Sequence, residues 1–441
     1  MNSVEAPAKP WHLRGNWAPV VDELETGELR VEGEIPSDLN GTYIRTGPNP
    51  ASGHSVHWFF GDGMLHGIRL ENGKARWHRS RYVQTRGLGE DPLASGNLGK
   101  LDYSKANTHI VSHAGKILAL NEGGWPYAID QELATKGVEN YGGKLTTAMT
   151  AHPKVCPETG ELMAFSYASY QAPFVHYIRV GADGQLKQLE AIDIPQKVMM
   201  HDFAITRNYV IFLDLPVVFD FALAAKGFPY EFRPASGARL GVMPREGSNA
   251  DVRWFEIEPC AIFHTVNAHE SDGKIVMTAS RMGSWSADDF ADVGYLWRWT
   301  IDLESGTVRE EQVDDRPGDF GRVNDKVVGL DARYGYLMEM AGEGEPEAPT
   351  YGHALLKYDL HSGNCTPHFL GERVHGGEPT FVQTGEGEDD GYVMTFVHDE
   401  ESDRSHFVIL DAKDFDGPPV ATIHLEERVP YGAHGNWIPL A

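Results

Sequence analysis

The sequence predicts an all-β propeller, on three observations. Short runs rich in Val, Ile, Tyr and Phe are bounded by Gly, Asp and Asn turns, which is the pattern of strands; examples are Lys116–Leu120, Tyr209–Asp214, Lys274–Ala279 and Tyr392–Val397. A strand, polar turn, strand unit recurs tens of residues apart, at Tyr177–Gly184, Trp299–Gly306, Tyr358–Gly363 and Ile409–Asp414. Each resembles the outer hairpin of a four-stranded blade. Glycine (48) and proline (26) are spread along the chain without a linker-like block. That evenness argues against an array of β-sandwiches, the competing arrangement. A length of 441 residues would suggest about three ordinary domains, but a propeller packs many repeats into one unit. Residues 1–441 are therefore expected to form a single domain, with 1–20 as an extended N-terminal segment. Helical patterning is confined to Ala222–Lys226 and Ala287–Ala291.

Charge excludes one class of partner. The chain carries 38 basic and 64 acidic residues, a net charge of −26. Such a surface repels phosphate backbones, so nucleic acid is not expected to bind. Strong docking on anionic lipid is disfavoured for the same reason. Three cysteines, Cys156, Cys260 and Cys365, lie far apart. They suggest neither a disulfide framework nor a thiolate metal site, and a reducing cytosol fits them. The first residues show no apolar core of a signal peptide. No run of about 18 apolar residues is present. The most apolar stretch, Val210 to Ala225, is interrupted by Asp214, Pro216 and Asp220.

Four of the 20 histidines share a context. His152, His201, His264 and His434 each follow a small or apolar residue, and His201 and His264 lead into expected strands. The innermost strands of a propeller line its central axis. Histidines at the same end of several inner strands would meet there from remote positions, as a candidate metal site. Imidazole suits iron, copper, zinc and nickel alike, so the ligands alone do not choose the metal. Ligating histidines need an acceptor on their second nitrogen, commonly a carboxylate. Glu122, Asp319 and Glu378, set among glycine and apolar residues, are the candidates.

Further motifs recur in one order along the chain. They are Gly41–Pro50, Phe60–His66, Ala106–His109, Ala151–Lys154, Phe263–Glu270, Gly377–Val382 and Asp389–Tyr392. Together with the histidine contexts they resemble the carotenoid cleavage oxygenase family. That family includes plant epoxycarotenoid dioxygenases, bacterial apocarotenoid and stilbene oxygenases, and the retinoid isomerohydrolase of the eye. The resemblance implies seven blades, with a cap of loops and short helices over an iron-bearing axis. It implies that His152, His201, His264 and His434 hold Fe(2+), and that Glu122, Asp319 and Glu378 hold the histidines. Asp319 departs from the pattern, since glutamate is usual there. Thr108 matches a threonine whose methyl sits beside a vacant coordination position.

The implied reaction is cleavage of a C=C double bond of a carotenoid or apocarotenoid by O2, giving two carbonyl products. The sequence shows no glycine-rich dinucleotide fingerprint and no cysteine cluster, so no further redox cofactor is expected. Catalysis then rests on metal and positioning. Stilbene-cleaving relatives resemble one another in a lysine just before the first carboxylate, and this chain has Asn121 there. A carotenoid-type substrate is therefore favoured over a phenylpropenoid or stilbene alkene. An apolar tunnel is expected from Trp58, Phe59, Tyr103, Tyr127 and Phe263. Residues 215–230 suggest an apolar lip touching a membrane or micelle, on an otherwise cytoplasmic protein with no obligatory protein partner. Competing expectations are an isomerohydrolase on the same scaffold, a zinc hydrolase and a metal-free binding propeller.

Overall fold

The strands begin where the apolar runs begin. In the computed structural model, which describes residues 9–90, 96–97, 99–224, 228–286, 292–340 and 351–440, Lys116–Leu120 and Tyr209–Asp214 are strands with those bounds. Lys274–Ala279 falls inside the strand Lys274–Met282, and Tyr392–Val397 inside Gly391–Asp399. Three of the recurring hairpins turn at a glycine in the left-handed region, Gly184 (φ 74°), Gly306 (φ 75°) and Gly363 (φ 79°). A side chain is strained there, which explains the shared Gly at the end of each unit. The fourth unit, Ile409–Asp414, has no such glycine, and its strand connects by a longer loop to Ala421–His424.

The sheets form a ring of seven antiparallel blades. One sheet counts twice. Its strand Val308–Val323 pairs first with Tyr295–Asp302 and then, beyond Pro317, with Tyr334–Met340. Both ends of the chain close the ring. The strand Gly435–Pro439 pairs with Gly41–Pro48 as the inner strand of one blade. The strand Arg30–Gly33 pairs with Ala421–His424 as the outer strand of the blade beside it. Apolar side chains seal the wedges between blades: Tyr43, Phe396 and Phe407 form one cluster, and Tyr336 stacks on Phe381 at 5.3 Å. Truncating one such buried aromatic to alanine costs about 3–5 kcal/mol.

Short helices and loops cap one end of the axis. The 3-10 turns Trp58–Phe60 and Leu101–Tyr103 belong to this cap. So does the hairpin Val217–Phe219 with Tyr230–Phe232, whose tip carries the helix Phe221–Ala224. That helix overlaps the expected Ala222–Lys226, of which residues 225 and 226 lie outside the described residues. The expected helix Ala287–Ala291 also lies outside them. The N-terminal segment is not extended where it is described. Trp11–Leu13 and Gly15–Trp17 are 3-10 turns. They fold because Trp11 and Trp17 bury against Trp58, Met338 and Tyr351, removing large apolar area from water.

Candidate metal centre

Four blades each deliver one histidine to the axis at the start of an inner strand. His152 precedes Lys154–Val155, His201 precedes Ala204–Ile205, and His434 immediately precedes Gly435–Pro439. His264 lies inside Ala261–Ser271, where the register shifts on both sides of Thr265. Such a bulge re-aims a side chain toward a site. The backbone at His434 is clamped, its N–H donating to the Thr108 carbonyl at 2.9 Å and its carbonyl accepting from Thr46 at 3.2 Å.

All four imidazoles are buried, and one nitrogen of each lies within 4.8 Å of the others. His152 Nε2 and His201 Nε2 are 3.0 Å apart, and His201 Nε2 and His264 Nε2 are 3.3 Å apart. Burial, and then the neighbouring imidazoles, push the His152 pKa well below its ordinary value. Burial likewise pushes His434 down to about 4, despite the opposing pull of Glu378. On His264 burial is again the largest single influence and acts in the same direction, but the carboxylates of Asp319, Asp202 and Glu378 together raise the pKa.

The opposite nitrogens are held by the three carboxylates. Glu122 lies against His201 Nδ1 and accepts from the Tyr167 hydroxyl. Asp319 Oδ1 is 3.1 Å from His264 Nδ1. Glu378 Oε1 is 2.7 Å from His434 Nδ1, while its Oε2 accepts from the Gly435 N–H at 2.8 Å. Burial would raise the Glu378 pKa, but the Arg322 guanidinium 3.3 Å away and His434 together hold it far below the carboxylate range. A carboxylate that accepts from Nδ1–H keeps the ring proton there and leaves Nε2 as a bare lone pair. With Nδ1 protonated, the Nε2 atoms of His201 and His264 face each other at 3.3 Å as two acceptors, a repulsion that a cation bound by both relieves. The donor set therefore fits a metal ion, and neutral imidazole suits a transition metal.

A ring of supports lies behind these groups. Asp202 Oδ2 accepts from the Thr265 N–H at 2.8 Å and its hydroxyl at 2.7 Å, and Oδ1 pairs with Lys154 at 2.9 Å. Asp202, Thr265 and Lys154 each follow a histidine by one or two residues, so one carboxylate ties three of the converging segments together. His109 is a fifth buried ring beside the cluster, 5.0 Å from His434, with Nδ1 on the Ala151 carbonyl at 2.8 Å. Sequence reasoning missed Asp202, Arg322 and His109. The only available signal for His109 was its place in the motif Ala106–His109.

The cap side of the cluster opens into a cavity of about 780 Å³ lined by His201, His264 and His434. Of the expected tunnel residues, Trp58, Phe59, Tyr103 and Phe263 line it, as do Asn121 and Thr108. The Phe263 ring stands 4.6 Å from the His201 ring. The Thr108 hydroxyl donates to Asn107 at 3.0 Å, and the Asn121 amide does the same at 2.9 Å. Tyr127 is a correction. It sits in the core between blades, packed with Ile117 and Ile129, with its hydroxyl on the Asp102 carbonyl at 2.8 Å. Its strand turns this residue into the wedge rather than toward the axis. Tyr167, Lys197, Phe228 and Trp285 also line the cavity and were not among the sequence candidates.

The chain matches the retinal pigment epithelial membrane protein family over residues 17–439. It is 36% identical to a carotenoid cleavage oxygenase of Mycobacterium tuberculosis, over 97% of each chain. The crystal structure of Pseudomonas brassicacearum lignostilbene dioxygenase superposes with a TM-score of 0.88 at 30% identity, covering 99% of this chain and 100% of that one. Cobalt-substituted Synechocystis apocarotenoid oxygenase superposes with a TM-score of 0.84 at 29% identity, covering 96% and 97%. The chain belongs to the carotenoid cleavage oxygenase family.

Proposed function

We propose that the protein is a ferrous dioxygenase that splits a C=C double bond of a carotenoid or apocarotenoid with O2 into two carbonyl products. The observation that carries this reading is the convergence of four buried imidazoles, one nitrogen of each within 4.8 Å of the others, beside a large cavity that three of them line. His152, His201, His264 and His434 would hold Fe(2+), which supplies dioxygen activation when bound. Glu122, Asp319 and Glu378 fix the ring orientations of three of them. Thr108 shapes the space beside the ion. Trp58, Phe59, Tyr103 and Phe263 hold the alkene and exclude water, so the reacting bond is placed rather than attacked by a protein acid or base.

The whole chain, 1–441, acts as one unit in this reading. The hairpin lip supports a lipophilic substrate: Phe221 is 66% exposed and Tyr170 38%, and both rings pack on Phe219. We infer that this patch touches a membrane or micelle at the cavity entrance, on a cytoplasmic protein. Among the described residues no helix is long and apolar enough to cross a membrane. The likeness to a lignostilbene dioxygenase favours a second reading, a phenylpropenoid or stilbene alkene on the same histidines.

Iron-loaded enzyme incubated under labelled dioxygen with β-carotene, an apocarotenal, resveratrol and isoeugenol tests both. Two carbonyl products bearing label are expected from the polyenes. Cleavage restricted to resveratrol and isoeugenol would favour the second reading. Turnover of a retinyl-type ester without label would contradict both.

A further inference from the structure

Lys197 is a buried cation in the wall of the cavity, 7% exposed. No carboxylate among the described residues pairs with it. An ammonium has three N–H donors. Two are used, on the carbonyls of Tyr167 at 2.6 Å and Ser169 at 2.9 Å. The rings of Tyr170, Phe219 and Tyr167 stand 4.9, 5.4 and 5.8 Å from Nζ, within cation–π range. Carbonyl dipoles and ring faces offset only part of the cost of burying a charge. Burial accordingly pushes the Lys197 pKa down to about 8. The third N–H has no acceptor among the described residues.

The lysine is also tied to the metal centre. It lies four residues before His201 in the chain. The Tyr167 whose carbonyl it takes places its own hydroxyl on Glu122. Two other lysines line the cavity, but Lys105 places its three donors on Asp62, Gly87 and Glu90, and Lys100 binds Asn97 from an exposed position. A spare donor on a buried charge is the strongest polar anchor available to a ligand there, since hydrogen bonds to charged groups are worth about 1.5–3 kcal/mol.

We propose that Lys197 is a specificity-determining residue that binds an oxygen acceptor (a carbonyl, hydroxyl or phenolate) at one end of the conjugated alkene. The preferred substrate is then an oxygen-ended alkene, not a pure hydrocarbon. This rests on the dioxygenase reading for its substrate type, so its test is made independent of turnover.

Binding to the full-length, metal-loaded protein is read under argon by quenching of tryptophan fluorescence. The ligands form two pairs, an apocarotenal with β-carotene and resveratrol with stilbene. Within at least one pair, wild type is expected to prefer the oxygen-ended member. Lys197→Met is expected to lower that preference about 10- to 100-fold, the loss of one charge-assisted hydrogen bond, and Lys197→Arg to retain most of it. The pair that responds tells whether the acceptor belongs to a polyene or a phenol. If Lys197→Met does not fold, Lys197→Gln keeps an N–H donor for the loop carbonyls and carries the same comparison. A preference unchanged in the variant, or absent from wild type in both pairs, would overturn the proposal. Failure of the same protein to cleave any alkene in air would instead sink the dioxygenase reading.

Discussion

His264 Nδ1 and Asp319 Oδ1 stand 3.1 Å apart, joining inner strands of neighbouring blades. The short aspartate side chain makes this contact directly. The strand register shifts immediately after Asp319, and Phe320 takes a left-handed conformation with φ 58°. A bulky residue there is strained. The Phe320 ring packs 4.8 Å from His264 and 5.1 Å from His434. A backbone irregularity thus carries the carboxylate toward the imidazole and covers the pair with an aromatic.

Removing that carboxylate should loosen the metal. Asp319→Ala is expected to weaken iron affinity about 10- to 100-fold, the usual effect of losing the outer partner of a ligating histidine. Asp319→Asn keeps an oxygen acceptor and should fall between wild type and Asp319→Ala. Competition with a chelator measures both.

Glu378→Gln should cost stability as well as metal. Glu378 is 2% exposed and is the counter-charge of Arg322. Removing one partner of a fully buried pair costs about 3–5 kcal/mol. Arg322 keeps the exposed Asp325 carboxylate at 3.6 Å and the Gly435 carbonyl at 3.0 Å, so the lower end of that range is expected. The double variant Glu378→Gln with Arg322→Met should recover part of the loss in urea unfolding of the metal-free protein.

Acid should unfold the protein partly through a histidine far from the centre. His78 is buried, and burial with the Arg45 charge pushes its pKa down to about 4 from 6.5. Its neighbours are the stacked His66 ring at 6.2 Å and Phe396. His66 is also held neutral by burial, with Arg45 and Arg428 acting in the same direction. A histidine depressed in the folded state stabilises fully above 6.5, and that stability is lost as pH falls through 4. The loss attributable to His78 is about 3 kcal/mol over this window. His78→Leu should flatten that part of the pH curve of the metal-free protein.

Phe263 should govern substrate affinity without governing iron. Phe263→Ala opens space beside His201, Phe59 and Trp285. A rise in KM of about tenfold is expected, close to 1.4 kcal/mol of lost apolar contact. Iron content should stay at the wild-type level, and Phe263→Leu should show a smaller rise.

The outer parts of the blades were legible because their hairpins carry both alternation and a turn glycine. The inner strands were not. Lys154–Val155 and Ala204–Ile205 are two residues long, too short for any periodicity. The strand Val308–Val323 serves two blades, yet Glu310, Glu311, Asp314 and Asp315 give it the composition of a loop. The four histidines were found through motif context, which encodes convergence that local spacing does not. Asp202 and Lys197 read locally as solvated charges, because only the closed ring brings Thr265 to one and Tyr167 to the other. Tyr127 was misplaced for the same reason: a strand residue near the axis can face the wedge between blades.

The proposed dioxygenase depends on one ferrous ion shared by four imidazoles. Anaerobic reconstitution with ferrous iron, followed by metal analysis of wild type and His264→Ala, tests this most directly. Expected are one tightly held iron per chain in wild type and a collapse of that occupancy in the variant. A wild type that retains no iron, or a variant that retains as much as wild type, would contradict it.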